Sequence, residues 1–194
     1  MPVKPRLVLA AACTLALAAT LPPLLPAFPA HMLRHMLLVA VSAPLLVLAF
    51  PDPLIRLAPP VAIGCLIEFA TVWGWHLPAL HAAARSGTPA LALAEQASFL
   101  AAGIAVWAAA LRPGQAVAGA AGLSVTSMHM TLLGALFILS PRDLYAGWCG
   151  MPPDITAQSL GGLTMLAIGM PAYLAGGVWL LSRALQDSAP RPAP

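Results

Sequence analysis

Charge is scarce in this sequence. Only 8% of its 194 residues are Asp, Glu, Lys or Arg, against roughly a quarter in an average soluble domain. Nine basic and six acidic side chains cannot clothe a globule that is 60% hydrophobic, so a water-soluble fold is excluded. The basic residues stand singly near helix ends, with no basic stripe and no interleaved aromatics, and this excludes a nucleic-acid partner. Cysteine is scarce too. Cys13, Cys65 and Cys149 lie far apart, form no CxxC pair, and read as small apolar filler rather than thiolate ligands. Regular ten-residue alternating segments of the barrel type are missing. So are GxSxG, HExxH, Walker and dinucleotide-binding motifs, and the serines are scattered without a positioned histidine. The chain reads as a binding or delivery protein and not as an enzyme.

What the sequence has in quantity is apolar runs. Several reach about 18 residues or more, enough to cross ~30 Å of hydrocarbon. The expected fold class is all-α: a polytopic transmembrane helical bundle of about six helices in a lipid bilayer. One domain covers 1–187, with helices at roughly 7–28, 31–50, 59–77, 89–111, 115–140 and 157–185, and a disordered tail at 188–194. Leu80–Thr88 and Leu144–Ile155 are read as loops. The first run also has signal-peptide features, but apolar character continues through Leu24, Leu25 and Phe28, which favours a retained helix. Six helices put both termini on one side. If that side is cytoplasmic, it holds Lys4, Arg6, Arg56, Arg112, Arg183 and Arg191, against Arg34, Arg85 and Arg142 outside, in keeping with the positive-inside bias. The expected location is a bacterial cytoplasmic (inner) membrane.

With this topology the unusual polar residues gather at the outer face. His31 and His35 are four residues apart, so they share a helix face about 6 Å apart, with Met32 and Met36 beside them. His76 closes the third helix and His81 follows it. Glu95 and Gln96 lie about two turns into the fourth. His129 sits mid-membrane in the fifth, flanked by Met128 and Met130, and Glu68 mid-membrane in the third. Polar side chains at such depths are costly to keep and mark function by default. Imidazole and thioether are ligands that suit copper. The candidate metal ligands are therefore His31, His35, His76 and His129, with Met32 and Met36. Glu95, Gln96, Met128, Met130 and His81 are supporting candidates.

Each group also has a plainer reading. The His31/His35 pair can be an interfacial polar cap, with Arg34 snorkelling to headgroups or pairing with Asp143 or Asp154. His129 can lock helices together through Ser127, Ser124 or Glu95. Met128 and Met130 can be packing residues. His129 with His35 or His76 can also clamp a haem. The alternatives to copper are thus a haem- or quinone-binding membrane subunit and a ligand-free assembly scaffold.

The motifs resemble those of a known family. His31-Met32-x-x-His35-Met36-Leu-Leu, Ala43-Pro44-Leu-Leu46 and Pro51 form the opening signature. Trp75-His76-x-Pro78-x-Leu80, Glu95-x-x-x-Phe99, Trp107, His129-Met130 with Gly134, Leu144-Tyr145 and Gln158-x-x-Gly161-Gly162-x-x-Met165 continue it. In this order they resemble the CtaG-type bacterial cytochrome c oxidase assembly factors, over about residues 30–180. The resemblance implies a polytopic membrane protein that helps equip the oxidase with copper, without catalytic turnover. Its partners would be oxidase subunits and a periplasmic copper donor. His31, His35, His76 and His129 fall on matching positions. The family's histidines flanking the fourth-helix glutamate are Ala92 and Gln96 here, and the acidic residue before the last-helix glutamine is Ala157.

Overall fold

The computed structural model describes residues 4–20 and 25–188. In hydrocarbon a segment must satisfy its own backbone groups, and the apolar runs accordingly form helices. They are α1 (Pro5–Thr20), α2 (Ala27–Ala49), α3 (Pro51–Leu57), α4 (Val61–Trp75), α5 (Pro78–Arg85), α6 (Pro89–Ala110), α7 (Ala116–Leu139), α8 (Ala146–Cys149) and α9 (Ile155–Ser188). There are no strands among the described residues.

By length and apolarity α2, α6, α7 and α9 can each cross a membrane. The α3–α4 pair qualifies as a fifth span only when taken together, and it is bent by 88° at its break. The first expected run, α1, is a shorter apolar helix of 16 residues.

Proline explains where the boundaries fall. The expected 7–28 helix ends at Thr20 among the described residues, and Ala27 and Phe28 open α2 instead. Pro26, extended at φ −52° and ψ 152°, lacks the N–H a continuing helix needs. Residues 80–85 of the expected Leu80–Thr88 loop are helical in α5. That helix starts on Pro78, where the missing donor costs nothing. The expected 144–155 loop contains the single turn α8. The tail expected at 188–194 lies outside the described residues apart from Ser188, which ends α9.

Proline also shapes the middle of α2. Pro44 has no donor, and its ring crowds the carbonyl four residues back. The preceding stretch, Leu37–Ser42, takes up the extra backbone as a π-helical turn, a feature often found at functional sites. Two polar contacts fasten this stretch. Ser42 Oγ donates to Thr14 Oγ1 of α1 at 2.7 Å, and the Val39 carbonyl lies 3.3 Å from the Tyr173 hydroxyl of α9.

Close helix packing fills the rest of the core. Small residues let backbones approach where lipid offers no hydrophobic drive. Gly134 of α7 meets Gly162 of α9 this way, and Gly103 of α6 meets Val39 of α2. Met36, Phe99, Leu123, Met130, Phe137, Met165 and Tyr173 are buried between them. The N-termini of α2, α6 and α9 and the C-termini of α4 and α7 meet at one end of the bundle, with α5 and α8 laid across it. We call this the histidine end.

Candidate metal centre

Four histidines from two helices and a helix cap converge at this end. His31 and His35 come from one face of α2, His76 caps α4, and His81 sits on α5. All four are buried. The His31 ring lies 4.2 Å from that of His35 and 5.3 Å from that of His81, and His35 lies 5.6 Å from His76 (centroid distances). From α6, Glu95 reaches into the cluster. Its Oε1 is 3.1 Å from His31 Nε2 and 3.4 Å from His35 Nε2. The Gln96 amide nitrogen donates to Glu95 Oε2 at 3.3 Å and lies 3.2 Å from His35 Nε2. One ligand atom each from His31, His81 and Glu95 lie within 4.8 Å of one another, so small side-chain adjustments would let them share an ion.

A second donor pair adjoins the first. His76 Nδ1 donates to the Val72 carbonyl at 2.6 Å. In the neutral ring this leaves a lone pair on Nε2, and Nε2 faces Met32 Sδ at 3.3 Å. Neither atom then has a proton to offer the other. Orientation of an imidazole by a backbone carbonyl is the usual outer-shell arrangement of a metal-binding histidine.

The cluster is under-satisfied as a pure hydrogen-bond network. His35 Nδ1, His81 Nδ1 and Gln96 Oε1 are buried with no hydrogen-bond partner among the described residues, at a cost of about 1–3 kcal/mol for each such group. Burial, helped by the charges of His31, His76 and Arg85, pushes the His81 pKa down to about 3. That ring is therefore neutral at physiological pH, the form a metal requires.

Aromatic residues hold the rings in place. Phe99 stacks on His35 at 3.8 Å and 13°; it shares a face with Glu95, one turn away on α6. Ser98 Oγ accepts from Trp75 Nε1 and donates to the Glu95 carbonyl, both at 2.7 Å. Tyr145 forms a roof. Its hydroxyl donates to the His76 carbonyl at 2.9 Å, and its ring lies 4.3 Å from that of His81. Gln158 of α9 anchors the roof, accepting from Leu144 N at 2.8 Å and donating to the Phe137 carbonyl at 3.1 Å. Sequence reasoning gave no role to Phe99, Tyr145 or Gln158. Their presence in the motif series was the only signal.

Asp143 ties the roof to α9. Its carboxylate accepts from the backbone N–H groups of Tyr145, Ala146 and Asp154 at 2.7–2.9 Å. Partial burial pushes its pKa up, but these three donors outweigh that and hold the carboxyl below its usual range. A depressed folded-state pKa stabilises the fold above the unfolded value, about 3.9 for Asp, and that contribution is lost as pH falls through the folded value. On acidification from pH 5 to pH 3 the wild-type melting temperature should fall more steeply than that of Asp143→Ala. Parallel curves would show that this carboxylate does not couple to folding.

Other expected members lie elsewhere. His129 is not part of the cluster. Its Nε2 is 3.7 Å from Glu68 Oε2 and its ring is edge-on to Phe69 at 5.3 Å. No hydrogen bond or ring contact joins it to another histidine, or to Ser124, Ser127 or Glu95, among the described residues. The reason is the face it occupies. Residue 129 is ten residues inside the end of α7 at Leu139, about as deep as His35, eight residues inside the start of α2 at Ala27, but its ring turns to Phe69 and Glu68 of α4. His81 takes its place. His129 instead borders a second buried polar group, in which the Tyr173 hydroxyl donates to Glu68 Oε1 and Trp107 stacks on Tyr173 at 5.2 Å. Met128 is 71% exposed, on the outside of α7. Met130 and Met36 are core residues, the latter packed near Gly169. Arg34 pairs with neither Asp143 nor Asp154: its Nε donates to the Ala18 carbonyl of α1 at 2.9 Å. Gln96 meets His35 with its amide, and Ala92 leaves a small hollow beside His31 and Arg34.

Neither the curated proteins nor the solved structures yield a match to this chain. One family model does match it, over residues 1–187 and so over nearly the whole sequence; its description reads cytochrome c oxidase caa3 assembly factor. With an all-helical fold, several membrane-length helices and the ordered motifs in hand, the chain belongs to the cytochrome c oxidase caa3 assembly factor family.

Proposed function

We propose that this assembly factor carries copper to the oxidase, holding the ion as cargo at the histidine end of the bundle. The carrying observation is the convergence of His31, His81 and Glu95 from three separate helices, with ligand atoms within 4.8 Å of one another. His35 shares Glu95 with His31, and the His76–Met32 pair adds a softer site alongside. Imidazole with thioether suits Cu(I), and imidazole with carboxylate suits Cu(II). Release would proceed by ligand exchange to an acceptor site on a nascent oxidase subunit, with no net chemistry on the protein. The histidine end carries Arg34, Arg85 and Arg142, and the other end Lys4, Arg6, Arg56, Arg112 and Arg183. The positive-inside bias then supports a periplasmic histidine end in a bacterial inner membrane, with both termini cytoplasmic and a periplasmic donor supplying the ion.

The test is copper titration of the detergent-purified protein with elemental analysis. Wild type should retain copper, and His31→Ala/His81→Ala should bind it more weakly by more than the roughly 10–100-fold that an outer-shell change costs, while keeping its helical circular dichroism. Equal stoichiometry in the two would favour a ligand-free scaffold. A Soret band in the purified protein would favour haem.

A further inference from the structure

The histidine cluster borders two cavities of different character. One, of about 340 Å³, opens beside His31 and Glu95 and is rimmed by Arg34 and Arg85; it has no sulfur in its lining. The other, of about 280 Å³, lies between α5, α8 and the start of α9. Its lining includes His81, Cys149, Met151, Asp143 and Asp154, with Arg85 at its edge. His81 is 2% exposed, and its Nδ1 has no hydrogen-bond partner among the described residues. This buried imidazole joins the second cavity to the His31–Glu95 cluster, since its ring lies 5.3 Å from that of His31.

We propose that the second cavity is the entrance through which Cu(I) reaches the histidine cluster, with Cys149 and Met151 as the receiving ligands and His81 as the relay. The inference rests on the copper reading given above. Thiolate and thioether are the soft ligands that select Cu(I). Met151 is 64% exposed, and Cys149 is a partly buried free thiol. Gly150 between them has φ +63°, a left-handed turn that reverses the chain so that both neighbours line the same hollow. The two carboxylates supply field rather than ligation. The Asp143 oxygens are engaged by three backbone donors, and Asp154 Oδ1 accepts from Ala157 N at 2.8 Å. Two negative charges against one Arg85 attract a cation there, whereas the first cavity sets two arginines against the single Glu95 and so favours a cation less.

The exchange balances without a redox partner. The Cys149 thiol loses a proton as it binds Cu(I), and the ion stays Cu(I) throughout. The Cu–S bonds to Cys149 and Met151 break as Cu–N bonds to His81 and then His31 form, and the Cys149 thiolate takes a proton back from solvent.

The experiment supplies Cu(I) as its acetonitrile complex, anaerobically, to the full-length protein in detergent. Samples stripped of unbound copper at timed intervals are assayed by elemental analysis. Cys149→Ser/Met151→Leu should reach the wild-type final occupancy but load at least about tenfold more slowly, a barrier change of roughly 1.4 kcal/mol. Arg34→Gln, at the rim of the other cavity, should load within about twofold of wild type. Wild-type loading in the double variant overturns the entrance alone. Loss of final occupancy in that variant also overturns it, by making the two sulfurs part of the resident site. No copper retained by wild type overturns the copper reading itself, and the entrance with it.

Discussion

Glu95→Ala should lose copper affinity by more than about 100-fold, beyond the range of outer-shell partners, and should also melt earlier. The carboxylate is the one anion between His31 and His35. Removing it orphans the buried His31 Nε2, at about 1–3 kcal/mol, and leaves His35 Nε2 with the Gln96 amide alone. Glu95→Gln separates the two effects. Its amide keeps the side-chain volume and can still accept a hydrogen bond from one of the rings, so the melting temperature should recover most of its loss. It carries no negative charge, so copper affinity should stay low. Isothermal titration with Cu(II) and a thermal melt followed by circular dichroism read the two quantities independently. Wild-type affinity in Glu95→Ala would remove the carboxylate from the ligand set and leave the imidazoles alone.

The second large effect is expected at the α7–α9 seam, at a residue whose nearest neighbours are not candidate ligands. A methyl group at Gly162 would lie 2.6 Å from the Gly134 carbonyl oxygen, 2.9 Å from Ile138 Cγ1 and 3.0 Å from Phe137 Cβ. The first of these is backbone and cannot rotate away, so α7 and α9 must separate. Gly162→Ala should therefore cost at least the upper end of the roughly 1–3 kcal/mol typical of overpacking. Moving this seam would also shift Phe137, whose carbonyl anchors Gln158, and with it the Tyr145 roof over His76 and His81. Gly147→Ala is the control, since nothing lies within 4 Å of a Cβ added there. A melting temperature for Gly162→Ala equal to that of Gly147→Ala would mean that the two helices are not held at this distance in the membrane.

Apolar runs broken by proline were enough, read from the sequence, to establish an all-helical membrane protein, because a chain with so little charge has no other solvent that suits it. The i,i+4 pair His31/His35 was legible for the same local reason: helical periodicity alone puts the two on one face. Folding decided what lies between helices. His81 was read as a loop residue at the margin of the site, yet α5, started by Pro78, folds back over the cluster and brings its ring against His31. His129 was read as a ligand and is not one of the cluster, because its side chain turns to Glu68 and Phe69 of α4 instead. Tyr145 and Gln158 are distant in sequence from the rings they hold, so only tertiary packing could reveal their role. Composition and period act along one chain segment, whereas a shared ligand geometry depends on the relative depth and rotation of several, and those are set by contacts such as Gly134 on Gly162 that no single segment contains.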